Sequence, residues 1–271
     1  MDLYVLFIII FILLLLIYAY FNDRAKIKNE RVETSEPNVI PNVIYQTWHT
    51  KDLPPNMQKC VDKLKREHPD YEYHLYDDTD CRNFIKDNFD SSILHAFDTL
   101  IPGAYKADLW RYCILYKKGG IYLDIKYQCE NGFSFRQLEK NKEYFVLDRP
   151  GFWKQKKHGI YNAFMVCKPG NKTLLNCIYK ISENVYRRFY DFNQLYPTGP
   201  GLLGELYFHK LDPISQLKDF VMNYKYTDKN DLILYNTNII LKNYDEYRKE
   251  QNVNQTNKHY HTLWHERNIY K

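Results

Sequence analysis

Hydrophobic positions along the chain follow three patterns. Leu3 to Phe21 is an unbroken apolar run with no charge and no strong helix breaker. At ~1.5 Å rise per residue it reaches roughly 28 Å, close to the ~30 Å hydrocarbon core of a bilayer. No small-x-small cleavage site follows it, so residues 3–21 are expected to form a single-pass N-terminal membrane anchor. Residues 22–38 are polar, charged and closed by Pro37, which reads as a short stem. From residue 39 to 271 strand-like alternation interleaves with helical periodicity, which predicts one further domain.

Within that domain, Asn42–Trp48 reads as a strand. Pro55–Glu67 reads as a helix with Met57, Cys60, Val61 and Leu64 on one face, stopped by Pro69. Tyr71–Asp77 alternates as a strand. Asp78 is placed to cap the next helix, which runs through Asn88. Ser91–Leu100 repeats the helical pattern with Ile93, Ala96, Phe97 and Leu100. Glu143–Asp148 and Ile160–Cys167 read as strands, and Asn171–Phe189 as a long helix. Strand–helix alternation around glycine turns predicts an α/β fold, with a mostly parallel central sheet flanked by helices.

The densest stretch is Ala104–Tyr127, AYKADLWRYCILYKKGGIYLDIKY. Its first part lacks internal Gly and Pro and ends in Lys117 and Lys118, where cations suit the helix dipole. Gly119 can take the left-handed position beyond the last turn, so a helix over Ala104–Lys118 is predicted. Asp108, Arg111, Tyr112 and Leu115 follow an i, i+3, i+4, i+7 series and share one face. In the strand that follows, Ile121, Leu123 and Ile125 point one way and Tyr122, Asp124 and Lys126 the other. Ligands of open α/β sheets bind beyond the carboxyl ends of strands. An acid and a guanidinium one turn apart, beside a strand-end carboxylate, suit an anionic, metal-carried substrate such as a nucleotide sugar. The bland alternative is a surface ion pair worth ~0.2–0.5 kcal/mol and a solvated strand end.

Composition changes this picture little. The 271 residues are 45% hydrophobic, enough for one sizeable domain. The 26 Tyr and 15 Phe suit stacking on sugars or bases, but a Tyr-rich composition also follows from nucleotide bias. The net charge of +5 fits a nucleoside-diphosphate substrate and equally a solvated surface. Basic residues are scattered, with no stripe beyond Lys154, Lys156 and Lys157, which argues against nucleic acid as a partner. Six cysteines, at 60, 81, 113, 129, 167 and 177, form no C-x-x-C pair and no zinc spacing. Cys113 and Cys177 fall on helical apolar faces, where a buried free thiol is the default. Arg24, Lys26, Lys28 and Arg31 follow the apolar run, which by the positive-inside rule keeps the domain cytosolic. Asn171 and Asn254 open N-x-T sequons that matter only in a lumenal domain.

Taken in order, the motifs resemble glycosyltransferase family 32, the group that includes yeast-type initiating α-mannosyltransferases. That family's K-A-D-x-x-R-Y and L-Y-x-x-G-G-x-Y-x-D-x-D resemble KADLWRY at Lys106–Tyr112 and LYKKGGIYLDIK at Leu115–Lys126. IPNVIYQTW at Ile40–Trp48, HPDYEYHLYDD at His68–Asp78, NAFMVCKPGN at Asn162–Asn171 and TGP at Thr198–Pro200 fit as well. The likeness covers most of Ile40–Pro200 and is fainter beyond. Two positions depart: Tyr45 stands for the opening His, and Lys126 for the second Asp of the D-x-D pair. The resemblance implies the GT-A nucleotide-sugar fold and a retaining glycosyltransferase. Its donor would be a UDP- or GDP-linked hexose or N-acetylhexosamine, and its acceptor a glycan, lipid or protein. Most resembling Golgi enzymes face the lumen, the opposite of the charge rule, so orientation stays open.

The resemblance also implies roles. Asp108 and Arg111 would contact the donor sugar and its phosphate, since a guanidinium fork matches phosphate oxygens; Tyr112 and Gly120 join them on the donor side. Trp48 would stack on the nucleobase, with Asp78 as a further donor contact. Asn162, Thr198 and Gly199 would line the acceptor side. Asp124 would hold Mg²⁺ or Mn²⁺ against the diphosphate. Lys126 leaves three readings. It binds diphosphate oxygens in place of the ion; it points away while Asp124 and a C-terminal ligand keep the metal; or it marks a degenerate, non-catalytic sugar-nucleotide binder. The metal-keeping reading is the expectation, with His261 or His259 of HYHTLWHE (His259–Glu266) completing the shell. Asp108, Arg111, Asp124 and Lys126 form the expected catalytic set.

Overall fold

The computed structural model describes residues 39–149, 158–208, 220–227, 229–254 and 258–271. The expected anchor, the stem and the Lys154–Lys156–Lys157 cluster lie outside the described residues. Among the described residues no helix is long and apolar enough to cross a membrane.

The chain opens with β1 (Val43–Thr47), α1 (Pro55–Glu67) and β2 (Glu72–Tyr76). Three helices follow: α2 (Asp78–Asn88), α3 (Ser91–Thr99) and α4 (Gly103–Lys118). Then come β3 (Gly120–Leu123), β4 (Tyr127–Cys129), β5 (Tyr144–Leu147) and β6 (Ile160–Cys167). After α5 (Lys172–Tyr186) and α6 (Pro200–Phe208) the chain forms β7 (Met222–Tyr226), β8 (Asp231–Tyr235) and β9 (Asn238–Asn243). The short helices α7 (Tyr247–Asn254) and α8 (Tyr260–His265) complete it.

Local chemistry explains the boundaries. The cap of α2 is Asp77, not Asp78. Asp77 accepts the Asp80 amide while Asp80 accepts the Asp77 amide, a reciprocal box that leaves Asp78 in the first turn. Asn171 caps α5 by accepting the Leu174 amide, and its Nδ2 donates to Glu143. Gly119 ends α4 at φ +65° and Gly120 follows at φ +104°. A Cβ at Gly119 would lie 2.6 Å from Pro169 Cδ, and one at Gly120 2.9 Å from the Val43 carbonyl, so turn and packing both demand glycine.

The nine described strands form one sheet in the order β2-β1-β3-β6-β5-β7-β8-β9-β4. Strand β1 runs parallel to β2 and β3, and β5 parallel to β7. The pairs β3–β6, β5–β6, β7–β8, β8–β9 and β4–β9 are antiparallel. The expected mostly parallel sheet is therefore corrected to a mixed one. The reason is local: β8 and β9 are joined by a short turn with Asn236 at φ +54°, a connection only antiparallel neighbours allow. Residues 124–126 alone separate β3 from β4, yet these strands hold the third and ninth places in the sheet. The sheet must curl until its far edge meets its middle, and Asp124, Ile125 and Lys126 form that corner.

Among the described residues two large cores flank this arrangement, with a smaller third around Met57, Val61 and Ile125. Asp108 to Leu115 of α4 are all buried, as suits a helix enclosed on every side. Around Leu109, Trp110 and Cys113 they pack with Ile93 and Phe97 of α3 and Cys177 and Ile178 of α5. A second cluster joins both ends of the strand order, from Ile44 on β1 to Tyr127 on β4 and Leu241 on β9. All six cysteines are free and buried.

Candidate active site

The corner of the curl opens into a cavity of about 520 Å³, within the range of small-molecule sites. Two side-chain networks meet there.

The first is built by α4, β6 and the turn before α6. Asp108 is buried, and its two oxygens accept from Asn162 Nδ2 at 2.9 Å and Thr198 Oγ1 at 2.7 Å. Arg111 Nη2 lies 3.6 Å from Asp108. Asn162 Nδ2 also donates to the Tyr112 hydroxyl at 2.8 Å, and the Asn162 carbonyl accepts from Arg111 Nη1 at 2.9 Å. Gly199 closes the network, since a Cβ there would come within 3.1 Å of Asp108 Oδ2. Burial pushes the Asp108 carboxyl up, against the pull of Arg111 and the two hydrogen bonds. Burial alone would lower Arg111, but the Tyr122 ring 4.5 Å beneath it and the Asp124 and Asp108 carboxylates hold it above the ordinary arginine value. Asp108, Arg111, Asn162 and Gly199 line the cavity, while Tyr112, Thr198 and Gly120 are buried away from its surface.

The second network lies at the corner. Asp124 Oδ1 accepts from the Tyr122 hydroxyl at 2.8 Å and sits 3.6 Å from Arg111 Nη1. Its Oδ2 faces Lys126 Nζ at 3.7 Å. Lys126 is buried, pairs with Asp231 at 3.0 Å and donates to the Tyr161 hydroxyl at 2.9 Å. Asp231, at the start of β8, also accepts from Tyr224 at 2.7 Å and Arg248 Nη2 at 2.9 Å. Burial works against its ionisation, but Lys126, Tyr224 and Arg248 outweigh that and hold its carboxyl below the ordinary value. Sequence reasoning missed Asp231, Arg248 and Tyr161. One signal pointed to the first: a lysine in a buried D-x-D position needs a compensating acid.

Trp48, just past β1, and Asp78 also line the cavity, and the Trp48 Nε1 is buried with no hydrogen-bond partner. His259 lines it as well. His261 does not. It is exposed on α8, with its Nε2 3.2 Å from that of His265.

The donor set does not fit a divalent cation. Such ions take several oxygen ligands, usually one or two carboxylates with substrate phosphates. Here both oxygens of Asp108 and of Asp231 are already engaged by donors or cations, and Asp124 lies between two cations. At ~4 Å and an effective dielectric of ~20 each unit-charge pair is worth about 4 kcal/mol. An ion would gain from one carboxylate and lose to Arg111 and Lys126. Among the described residues, Glu67, His68 and Cys129 alone form a group of three ligand types within 4.8 Å, and none of them lines the cavity.

Residues 54–145 match the family described as glycosyltransferase sugar-binding region containing DXD motif. The chain is 30% identical over 177 residues to inositol phosphoceramide mannosyltransferase 3 of Schizosaccharomyces pombe, covering 64% of this chain and 46% of that protein. It is 38% identical over 155 residues to mannosyl phosphorylinositol ceramide synthase CSH1 of Saccharomyces cerevisiae, covering 55% and 37%. The matched part thus spans less than half the length of either relative. Among solved structures, PaToxG glycosyltransferase superposes with a TM-score of 0.48 at 17% identity, over 74% of this chain and 84% of that one. Over these segments the chain is similar to family-32-like glycosyltransferases and matches their DXD-containing sugar-binding region.

Proposed function

We propose that the protein transfers a hexosyl group, a mannosyl group first among them, from a nucleoside-diphosphate sugar to an acceptor hydroxyl with retention of configuration. The supporting observation is the buried Asp108–Arg111–Asn162 network beside Asp124, on a cavity of about 520 Å³. The mannosyl choice comes from the names of the relatives. The GT-A description of the fold remains part of the same reading.

The reaction breaks the bond between the anomeric carbon and the diphosphate oxygen through an oxocarbenium-like transition state and forms the bond to the acceptor oxygen, whose proton passes to the departing diphosphate on the same face. Negative charge grows on the departing diphosphate and is met by Arg111 and Lys126, held in place before the reaction begins. Asp124, with its side chain 24% exposed, is the carboxylate available to a sugar hydroxyl. Trp48 offers a face to the base. Asp108, Asp124 and Asp231 are all engaged by cations or donors, which suits attack and departure on one face of the sugar over a covalent intermediate. Leu3–Phe21 would hold the domain at a membrane. Among glycan, lipid and protein acceptors, an inositol phosphoceramide is the first to test.

A panel of UDP- and GDP-sugars tests this by thermal shift and donor hydrolysis. At least one nucleoside-diphosphate hexose should stabilise the protein, by about 2.7 kcal/mol at a hundredfold excess over Kd, and should be hydrolysed. Stabilisation without hydrolysis or transfer would favour the degenerate binder that Lys126 also suggests. No response to any donor would remove the reading.

A further inference from the structure

We infer that the donor diphosphate is bound here without a divalent metal, its charge met by Lys126 as a built-in cation that Asp231 seats and Arg248 reinforces. This rests on the donor reading above.

The corner carries the argument. Where the D-x-D pattern has a second carboxylate, Lys126 places an ammonium 3.7 Å from Asp124. An ammonium has three donors and no acceptor. Two of them go to Asp231 and Tyr161, which leaves one for a ligand beside Asp124. Tyr161 is itself fixed, stacked on Tyr224 with ring centroids 4.0 Å apart and planes 18° from parallel. Lys126 cannot swing out without abandoning a carboxylate that is only 3% exposed. Asp231 therefore acts as a positioning residue.

Charge points the same way. Asp231 gathers two cations, Lys126 from inside and the exposed Arg248 from outside. Arg111 stands on the far side of Asp124. Arg111, Lys126 and Arg248 thus stand against Asp108, Asp124 and Asp231, so each carboxylate of the cluster already has a cation and none is left over for an arriving metal ion. The competing account is purely structural: the Lys126–Asp231 pair clamps the curl of the sheet and touches no ligand.

Calorimetric titration of the full chain with GDP and UDP, each against its monophosphate, in EDTA and in Mn²⁺, separates these. The wild type should bind one diphosphate equally in both conditions, within about twofold. Lys126→Ala and Asp231→Asn should each weaken diphosphate binding in EDTA by about tenfold or more, with little change for the monophosphate. Lys126→Asp should bind the diphosphate only when Mn²⁺ is added. A wild type that loses the diphosphate in EDTA and regains it with Mn²⁺ would overturn the inference and leave the donor reading standing. Variants with lower Tm but an unchanged diphosphate-to-monophosphate ratio would reduce the pair to a clamp and overturn it too. Binding of neither nucleotide in either condition removes the donor reading and this inference together.

Discussion

The two ends of the cavity hold their charges differently. At the α4–β6 end, Asp108 and Arg111 are locked by Asn162, Thr198 and the Asn162 carbonyl, all buried and of fixed geometry. At the corner end, Lys126 and Arg248 share Asp231, and Arg248 reaches in from the surface. Directional hydrogen bonds at the first end fix shape. Ion pairs at the second fix net charge, which can be rebalanced by exchanging residues. The departure from the D-x-D pattern falls at the second end, where an exchanged sign can be answered by a residue on another strand.

Damage to the first end should be the most costly. Asp108→Ala strips Arg111, Asn162 and Thr198 of a shared buried partner. A loss of about 3–5 kcal/mol in urea denaturation is expected, with transfer abolished. A variant as stable as wild type would show that this end is not closed. Asp124→Ala should instead fold normally, because the side chain is partly exposed, while transfer falls about 100- to 1000-fold. Full turnover in a folded Asp124→Ala protein would take the carboxylate out of the reaction.

Arg111→Lys keeps the charge but loses the fork that reaches the Asn162 and Ala107 carbonyls. A drop of about tenfold or more in kcat is expected; unchanged kinetics would make geometry at the closed end irrelevant. Trp48→Ala should raise the donor KM by what about 1–3 kcal/mol of base stacking implies, with kcat nearly kept. Equal KM values would place the base elsewhere.

The smallest effect lies outside both ends and separates stability from function. His68 donates from Nδ1 to the Leu64 carbonyl and accepts the Phe135 amide at Nε2. Burial is the main cause of its lowered pKa, opposed in part by the Leu64 bond. The unfolded chain therefore takes up the proton more readily. The contribution of His68 to stability is complete above about pH 6.5 and is lost as pH falls below that value. The urea midpoint should drop less between pH 7 and pH 5 in His68→Gln than in wild type, with nucleotide binding unchanged. A pH profile identical to wild type would show that His68 is not the group titrating.

Most of the first end was legible in the sequence. Period and caps give α1 and α4 almost to the residue, and the KADLWRY and GGIYLD motifs bring Asp108, Arg111 and Asp124 together. The second end was not, for topological reasons. Asp231 is a strand-opening acid with no motif around it, and only the curl of the sheet carries it to Lys126. DLILYNTNIILKN, Asp231–Asn243, does carry a hairpin signature, two short apolar runs around an Asn-Thr turn. Reading it would have corrected the parallel sheet. It would not have revealed which strand β9 meets next. His261 shows a different limit: a cluster of histidines in sequence says nothing of which one a helix turns toward a cavity.

The corner at residues 124–126 has a consequence for the newborn protein. Ribosomes release α4 and β3 well before β8, by several seconds at about 5–20 residues per second. During that interval Lys126 lacks Asp231, the nearer of its two carboxylates, and the sheet has no far edge to close against. A chain ended before Asp231 would carry the KADLWRY and GGIYLD motifs yet lack Asp231, Arg248 and His259 of the cavity lining. Under the proposed function, donor binding would begin only once β8 has been made and paired with β7 and β9.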